Sequence, residues 1–167
     1  MTQYIKLVDT LNKWIKSFIG LCLGIMSVVI VVQVISRYFF GEAFTWAEEL
    51  SRYLMVWSIF LGAAIALRNH SLIALEFIAE KLSISAKRKL KIFVYVGAIV
   101  FFAILFFMGI QMIGNVQFQK SPALQIPMSI PYLGIPIGAL ALALNALAVF
   151  FELIINKNPP KEREGIV

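Results

Sequence analysis

The sequence predicts an all-α integral membrane protein with four transmembrane helices, interfacial amphipathic helices and both termini in the cytoplasm. Of its 167 residues, 60% are hydrophobic and only 14% are charged, and the mean hydropathy is +0.87. Soluble domains carry about 25% charged residues. The apolar residues fall into four runs, each long enough to cross a bilayer, which takes about 20 residues of helix. The charges lie mostly between these runs.

Composition also narrows the possible chemistry. Cys22 and His70 are the only residues of their types, which excludes a disulfide framework, a cysteine metal site and a bis-histidine haem within one chain. We therefore expect no enzymatic activity, no metal and no cofactor. The net charge of +6 does not indicate a nucleic-acid partner, because the basic residues sit at segment ends and in one connector, where they set membrane topology.

The first span is predicted at residues 15–40. Its length of about 26 residues gives a helix longer than the ~30 Å hydrocarbon core, so a tilt is expected. The preceding residues 1–16 combine lysines with regularly spaced apolar residues, which predicts an amphipathic helix at the membrane surface. The apolar run is too long for a signal peptide and no cleavage site follows it, so we expect a retained span. Gly20 and Gly24 have a spacing that permits close helix packing, although this spacing is common by chance.

The second span, residues 46–67, opens with the charged residues Glu48, Glu49 and Arg52 in its first two turns. A charge at the centre of a spanning helix costs roughly 2.5–3.5 kcal/mol, and less near an interface. Thr45 and Glu48 fit a capping box, and both glutamates lie at the positive end of the helix dipole. Arg52 is spaced to pair with either glutamate.

A short link joins the first two spans, so Arg37 is expected at a similar depth. Arg37, Glu48, Glu49 and Arg52 are then formally neutral as a group, which predicts an intramembrane polar network. A cap and an ion pair explain Glu48 on structural grounds alone. Glu49 needs a further partner, either Arg37 or a group on another protein.

The remaining elements follow in order. Residues 71–91 are amphipathic but too charged to span, which predicts a connector along the interface. The third span is predicted at 92–115. Three prolines in residues 121–132 exclude a regular helix and favour an extended loop, and the fourth span follows at 133–155. The connector ends in a basic cluster that could contact lipid headgroups, although topology alone also explains it: Lys87, Arg88, Lys89 and Lys91.

These elements make one membrane domain, residues 1–156, followed by a flexible cytoplasmic tail, residues 157–167. Within the fourth span, Asn145 is expected to form an interhelical hydrogen bond. Twelve of the fifteen Lys and Arg residues lie in the N-terminal segment, the middle connector and the tail, whereas the two opposite loops hold only Arg37 and Lys120. Both termini are therefore predicted to be cytoplasmic.

Several motifs, in this order and at this length, resemble one family over residues 6–152. The chain looks like the small membrane subunit (Q-type, DctQ-like) of tripartite ATP-independent periplasmic transporters, the TRAP transporters. The motifs that carry the resemblance are Arg37-Tyr38-Phe39-Phe40-Gly41, Trp46-Ala47-Glu48-Glu49-Leu50-Ser51-Arg52-Tyr53, Trp57 with residues 60–64, Arg68 with His70, and residues 126–138 leading into the last span.

The resemblance implies a non-catalytic subunit of the bacterial inner membrane. Such a subunit pairs with a large membrane subunit that carries the sodium-coupled pathway, while a periplasmic binding protein delivers an organic acid such as a dicarboxylate or a sialic acid. Its role is to brace the large subunit. Fused forms exist, and this chain is expected to be a separate polypeptide. The candidate residues for the polar network and the partner interface are Arg37, Glu48, Glu49 and Arg52, with Trp46, Tyr53, Trp57 and His70 in support.

An alternative function is a stand-alone oligomeric transporter or channel that uses Glu48 or Glu49 as its coupling site. The nearby arginines count against it, because they neutralise the acids. Transporters also tend to place their sites at broken helices that recur in two halves of the chain, and no such pair recurs in this sequence. Activity of the purified chain alone would distinguish the two functions.

Overall fold

The computed structural model of the protein describes residues 2–41, 44–69 and 84–155. They form the helices α1 (Thr2–Phe40), α2 (Thr45–Arg68), α3 (Ile84–Val116), α4 (Ser129–Tyr132) and α5 (Gly134–Ile155). Four of these stretches are long and apolar enough to cross a membrane, which confirms the all-helical prediction with four spans. The link into α3, residues 70–83, lies outside the described residues. It includes the predicted supporting residue His70. The predicted tail, residues 157–167, lies outside them too.

The long helices pack as a row rather than as a closed bundle. Helix α1 packs on α2, α2 on α5 and α5 on α3, and within the described residues α1 and α3 do not contact each other. Helices α2 and α5 therefore form the centre. The core lies on both sides of α5, where small residues such as Ala146 let the neighbouring helices approach; its buried members are Leu61, Ala64, Leu67, Tyr95, Ala141, Leu142, Ala146, Val149 and Leu153.

One face of α1 is shielded along the length of the helix. Its positions alternate three and four residues apart, which is the 3.5-residue period of a left-handed coiled-coil seam. The buried and half-buried members are Ile5, Val8, Asn12, Ile15, Ile19, Cys22, Met26, Val29, Gln33 and Ser36. Within the span, the other faces of α1 expose apolar residues such as Leu21, Val28 and Val31, so a contrast between polar and apolar residues does not reveal the seam there.

The expected surface helix at residues 1–16 is not a separate element. Helix α1 runs unbroken for 39 residues, about 58 Å at 1.5 Å per residue. Its first turns pack against α5, since the Tyr4 hydroxyl donates to the Leu144 carbonyl at 2.9 Å and the Tyr4 ring meets Phe151 edge-on. The amphipathic segment therefore continues as helix into the span and packs on α5 at its start.

The start of α2 also differs from the prediction. The N-cap residue is Phe44, with φ −75° and ψ 107°, and it makes no side-chain hydrogen bond. Thr45 is already the first helical residue, so the expected capping box with Glu48 is wrong. The helix thus begins one residue earlier than the sequence indicated, with the Phe44 ring 5.9 Å from the ring of Trp46.

Two glycines set the spacing between α2 and α5. A Cβ added at Gly138 would lie 2.4 Å from Phe60 Cβ, and one at Gly134 would lie 3.2 Å from Trp57 Cγ. In contrast, a Cβ at Gly20 or Gly24 would meet no atom within 4 Å. The close helix approach therefore occurs at the fourth span and not at the spacing noticed in the first.

The proline-containing segment between α3 and α5 is folded rather than extended. The Ser121 N–H donates to the Ile126 carbonyl at 2.9 Å, and the Met128 N–H donates to the Gln119 carbonyl at 2.9 Å. Gln125 has a left-handed φ of 55°, which closes the turn. We call residues 119–128 the α3–α4 loop.

Candidate functional site

The four predicted network residues lie near the start of α2 but do not form one network within this chain. Arg37 Nη2 and Glu48 Oε1 are 4.0 Å apart, with side chains 58% and 60% exposed, so the pair contributes little. Arg52 is exposed, and the described residues supply no ion pair for it. The expected pairs of Arg52 with Glu48 and Glu49 are therefore not made inside the chain, because the two acids turn to other partners.

Glu49 holds the α3–α4 loop against α2. Its Oε2 atom accepts hydrogen bonds from the backbone N–H groups of Ala123 at 2.9 Å and Leu124 at 2.8 Å. Its Oε1 atom accepts a hydrogen bond from the Tyr53 hydroxyl. A carboxylate bound by two backbone donors and a phenol makes strong, charge-assisted contacts. Glu49 is thus a structural anchor, and its two backbone donors are 74 and 75 positions away in sequence.

A cavity of about 450 Å³ opens beside this anchor. We call it the entry cavity; it lies between the first turns of α2, the α3–α4 loop, α4 and the start of α5. Glu48 and Arg52 lie on its wall together with the apolar side chains of Val56, Met128 and Ile135. The volume is in the range of small-molecule sites. The cavity therefore combines opposite charges with an apolar interior.

The supporting residues have different environments. Trp46 is exposed near Phe44. Trp57 packs on Gly134 and lies edge-on to Phe18, with ring centroids 6.0 Å apart. Tyr53 binds Glu49, as described above, and His70 lies outside the described residues.

The four basic residues expected at lipid headgroups lie in the first two turns of α3. Lys89 is exposed and Lys87 is half-buried, whereas Lys91 is buried. Arg88 Nη2 donates to the Ile154 carbonyl at 3.4 Å. Lys87 and Lys89 therefore have side chains that can still reach a headgroup, whereas the Arg88 guanidinium turns towards the end of α5.

The strongest polar site lies at the opposite end of α2 and was not predicted. Arg68 donates two hydrogen bonds to the Glu152 carboxylate, at 2.8 and 2.9 Å, and a third from Nε to Asp9 Oδ1 at 2.9 Å. Arg68 is 3% exposed and Glu152 is 8% exposed. These three residues, the Arg68 cluster, join α1, α2 and α5. The sequence signal was Glu152, an acid at the end of the apolar fourth span, since an acid in such a helix requires a partner.

A buried pair of amides joins α1 and α5, two of the helices that the Arg68 cluster also connects. Asn12 Nδ2 donates to Asn145 Oδ1 at 2.7 Å, and Asn145 Nδ2 donates back to Asn12 Oδ1 at 3.0 Å. Both side chains are buried. The interhelical hydrogen bond expected of Asn145 is confirmed, and its partner is on α1.

These contacts fix helices to one another. The Arg68 cluster and the amide pair are each satisfied internally, and Glu49 is satisfied by the loop. In the described ranges, no group of three or more His, Cys, Asp or Glu side chains is placed to hold a metal ion. The polar contacts of the described residues thus connect helices to one another, whereas Glu48 and Arg52 face an open cavity.

Comparison with known proteins identifies the family. The family model described as "Tripartite ATP-independent periplasmic transporters, DctQ component" matches residues 26–156. The C4-dicarboxylate TRAP transporter small permease protein DctQ of Vibrio cholerae is 24% identical over 174 residues, covering 89% of this chain and 73% of the relative.

Two further relatives match over shorter parts of their length. The isethionate TRAP transporter permease protein DctMQ of Oleidesulfovibrio alaskensis is 28% identical over 126 residues, covering 69% of this chain and 20% of the relative. A putative TRAP transporter small permease protein of Haemophilus influenzae is 32% identical over 76 residues, covering 46% of this chain and 47% of the relative. The chain thus aligns with about a fifth and about half of these two proteins. Since the family model covers most of the four-helix domain, the chain belongs to the DctQ family of TRAP transporter components, the small permease subunits.

Proposed function

We propose that this chain braces the large, sodium-coupled membrane subunit of a TRAP transporter in the bacterial inner membrane, with both of its own termini in the cytoplasm. The transporter would take up an organic acid delivered by a periplasmic binding protein. The observation that carries the proposal is the row of four helices, which is fixed internally but leaves broad apolar faces uncovered.

The internal contacts support a scaffold role. The Arg68 cluster ties α1, α2 and α5 together at one end, and Glu49 fixes the α3–α4 loop to α2 at the other. These buried polar groups bind one another, which leaves them unsuited to a passing substrate. A part that holds its shape while its neighbour moves needs such internal connections.

The exposed faces supply the area for a partner. Side chains such as Val28 on α1 and Phe107 on α3 are more than half exposed. A row of helices cannot cover both of its broad faces, so they must contact lipid or another membrane protein. Arg37, Glu48 and Arg52 are the polar residues proposed to contact the large subunit, because their side chains are exposed at one end of this surface.

The substrate class is an organic acid in this proposal. Relatives of the chain are named for C4-dicarboxylates, isethionate, sialic acid and ectoine. Because such different molecules are handled by transporters with related small subunits, we place the recognition of the substrate on the other two proteins.

Affinity purification of the full chain from its native membranes in mild detergent, followed by mass spectrometry, tests the assignment. We expect a large multispan membrane protein in near-equimolar amount, and substrate uptake by liposomes that contain both proteins but not by liposomes with this chain alone. Recovery of the chain only as its own oligomer, with transport by that oligomer, would support the stand-alone transporter instead.

Substitutions then separate assembly from mechanism. Arg52→Ala is expected to reduce transport in step with the yield of the complex, whereas Lys89→Ala, an exposed cation in the first turns of α3, should change neither. An Arg52→Ala complex that forms in full yield yet does not transport would contradict the bracing role and point to a direct part in the mechanism.

A further inference from the structure

The entry cavity has the chemistry of a lipid site. It lies at the first turns of α2, a helix long and apolar enough to span a membrane. Exposed aromatic side chains at the same end, among them Tyr38, Phe39 and Trp46, are of the kind that marks the headgroup level of a bilayer. Arg52 lies seven residues into α2, about 10 Å along the helix axis, so the cavity reaches from headgroup level towards the hydrocarbon.

The charges on the cavity wall are still available for a ligand. Glu48 and Arg52 are four residues apart on α2, a spacing that would let them pair, yet the described residues contain no ion pair between them. Glu48 is held only loosely by Arg37, at 4.0 Å and with its side chain 60% exposed. Glu49, the other acid on the wall, already binds the α3–α4 loop. One cation and one anion therefore face the cavity at neighbouring positions.

We propose that the entry cavity binds phosphatidylethanolamine, with the lipid phosphate on Arg52 and the ammonium group on Glu48. The acyl chains would leave along Val56 and Ile135, which form the apolar part of the wall. A guanidinium and a carboxylate make charge-assisted hydrogen bonds to these two groups. Every residue that this assignment uses belongs to this chain, so lipid binding can be tested without the large subunit. Because Glu48 and Arg52 are also proposed to contact that subunit, the bound lipid would lie next to it in the complex.

The same geometry discriminates against other headgroups. Phosphatidylcholine carries a quaternary ammonium that has no N–H to donate to Glu48. Phosphatidylglycerol carries a negative charge without a cation, so Glu48 and Glu49 would repel it. Selectivity for a primary ammonium is thus the specific outcome that the wall chemistry requires.

Native mass spectrometry of the full chain, released from mixed micelles with lipids of matched acyl chains, tests the proposal. We expect phosphatidylethanolamine to be retained about tenfold more strongly than phosphatidylcholine or phosphatidylglycerol, as one charged hydrogen bond would give. E48Q should remove the preference for phosphatidylethanolamine over phosphatidylcholine. R52Q should weaken the binding of phosphatidylethanolamine and of phosphatidylcholine, because both carry the phosphate. K120Q removes an exposed cation of the neighbouring loop that does not line the cavity, and it should change nothing.

Other results would overturn the assignment. Equal retention of the lipids by the unaltered chain would do so, as would equal effects of E48Q and K120Q. Binding of glycerophosphoethanolamine as strongly as the whole lipid would show a site for a soluble headgroup rather than for a lipid. Purified transporter complex in which a segment of the large subunit fills the cavity, with no lipid retained there, would also refute it.

Discussion

The Arg68 cluster leads to a quantitative prediction about stability. Arg68→Met removes a guanidinium that is 3% exposed and leaves the Glu152 carboxylate buried without its two short hydrogen bonds. Breaking a buried ion pair from one side costs about 3 to 5 kcal/mol. We expect a loss of that size in the free energy of unfolding, because the remaining carboxylate cannot turn to water.

The two acids of the cluster should differ. The Asp9 side chain is 35% exposed and receives one hydrogen bond from Arg68, so Asp9→Asn should cost about 1 kcal/mol or less. Glu152→Gln keeps one acceptor for the buried guanidinium but loses the charge, and its cost should fall between the other two.

A double substitution isolates the pair itself. Arg68→Met combined with Glu152→Met replaces the charges by apolar side chains that suit their buried position, an exchange that is often neutral. The double variant should therefore be less destabilised than the sum of the single variants, with a coupling of about 2 kcal/mol.

Reversible unfolding in mixed micelles, followed by tryptophan fluorescence, measures these differences. Arg52→Met is the matched control, since Arg52 is an exposed arginine on the same helix. Equal stability of the Arg68→Met and Arg52→Met variants would refute the reasoning. Strict additivity in the double variant would show that Arg68 and Glu152 do not act as a pair.

Three more predictions concern packing, the loop and the amide pair. Gly138→Ala should lose about 1 to 3 kcal/mol in the same unfolding assay, since its Cβ would lie 2.4 Å from Phe60 and overpacking has that cost; Gly20→Ala, with open space around it, should lose nothing. Glu49→Gln should increase proteolysis of the α3–α4 loop without unfolding the helices, and unchanged cleavage would contradict the anchor role. Asn145→Leu should lower the free energy of unfolding by about 1 to 3 kcal/mol, because the buried Asn12 amide loses its hydrogen bonds to Asn145. Replacing both Asn12 and Asn145 by Leu should restore most of that loss.

The four spans were predictable because hydropathy depends only on neighbouring residues. Each run is apolar over more than the bilayer thickness, and the structure places a long helix at each. The family was predictable too, because its motifs are short stretches of sequence. The continuity of α1 was not predictable in the same way, since its first turns contact α5 at positions far away in sequence, as Tyr4 does with Leu144.

The polar contacts of the site were predicted less well, for two reasons. Charge spacing on one helix indicated pairs of Arg52 with Glu48 and Glu49. However, the backbone N–H groups of Ala123 and Leu124 bind the Glu49 carboxylate instead. These donors are far away in sequence and are not evident from it. The Arg68 cluster joins positions 59 and 84 residues apart. One indication of it was present in the sequence, the acidic Glu152 at the end of an apolar run.

The position of the two anchors on α2 has a consequence for the membrane around the protein. Glu49 and Arg68 are 19 positions apart on one helix, which corresponds to about 28 Å, close to the ~30 Å thickness of the hydrocarbon core. This spacing would place the two anchors near the boundaries of the hydrocarbon core. Between them, apolar contacts and the Asn12–Asn145 amide pair hold the helices together. The distance between the two anchors on α2 therefore matches one hydrophobic thickness. In a thinner or thicker bilayer the mismatch would fall on the anchors at the ends of α2, and a tilt of the whole row would relieve it.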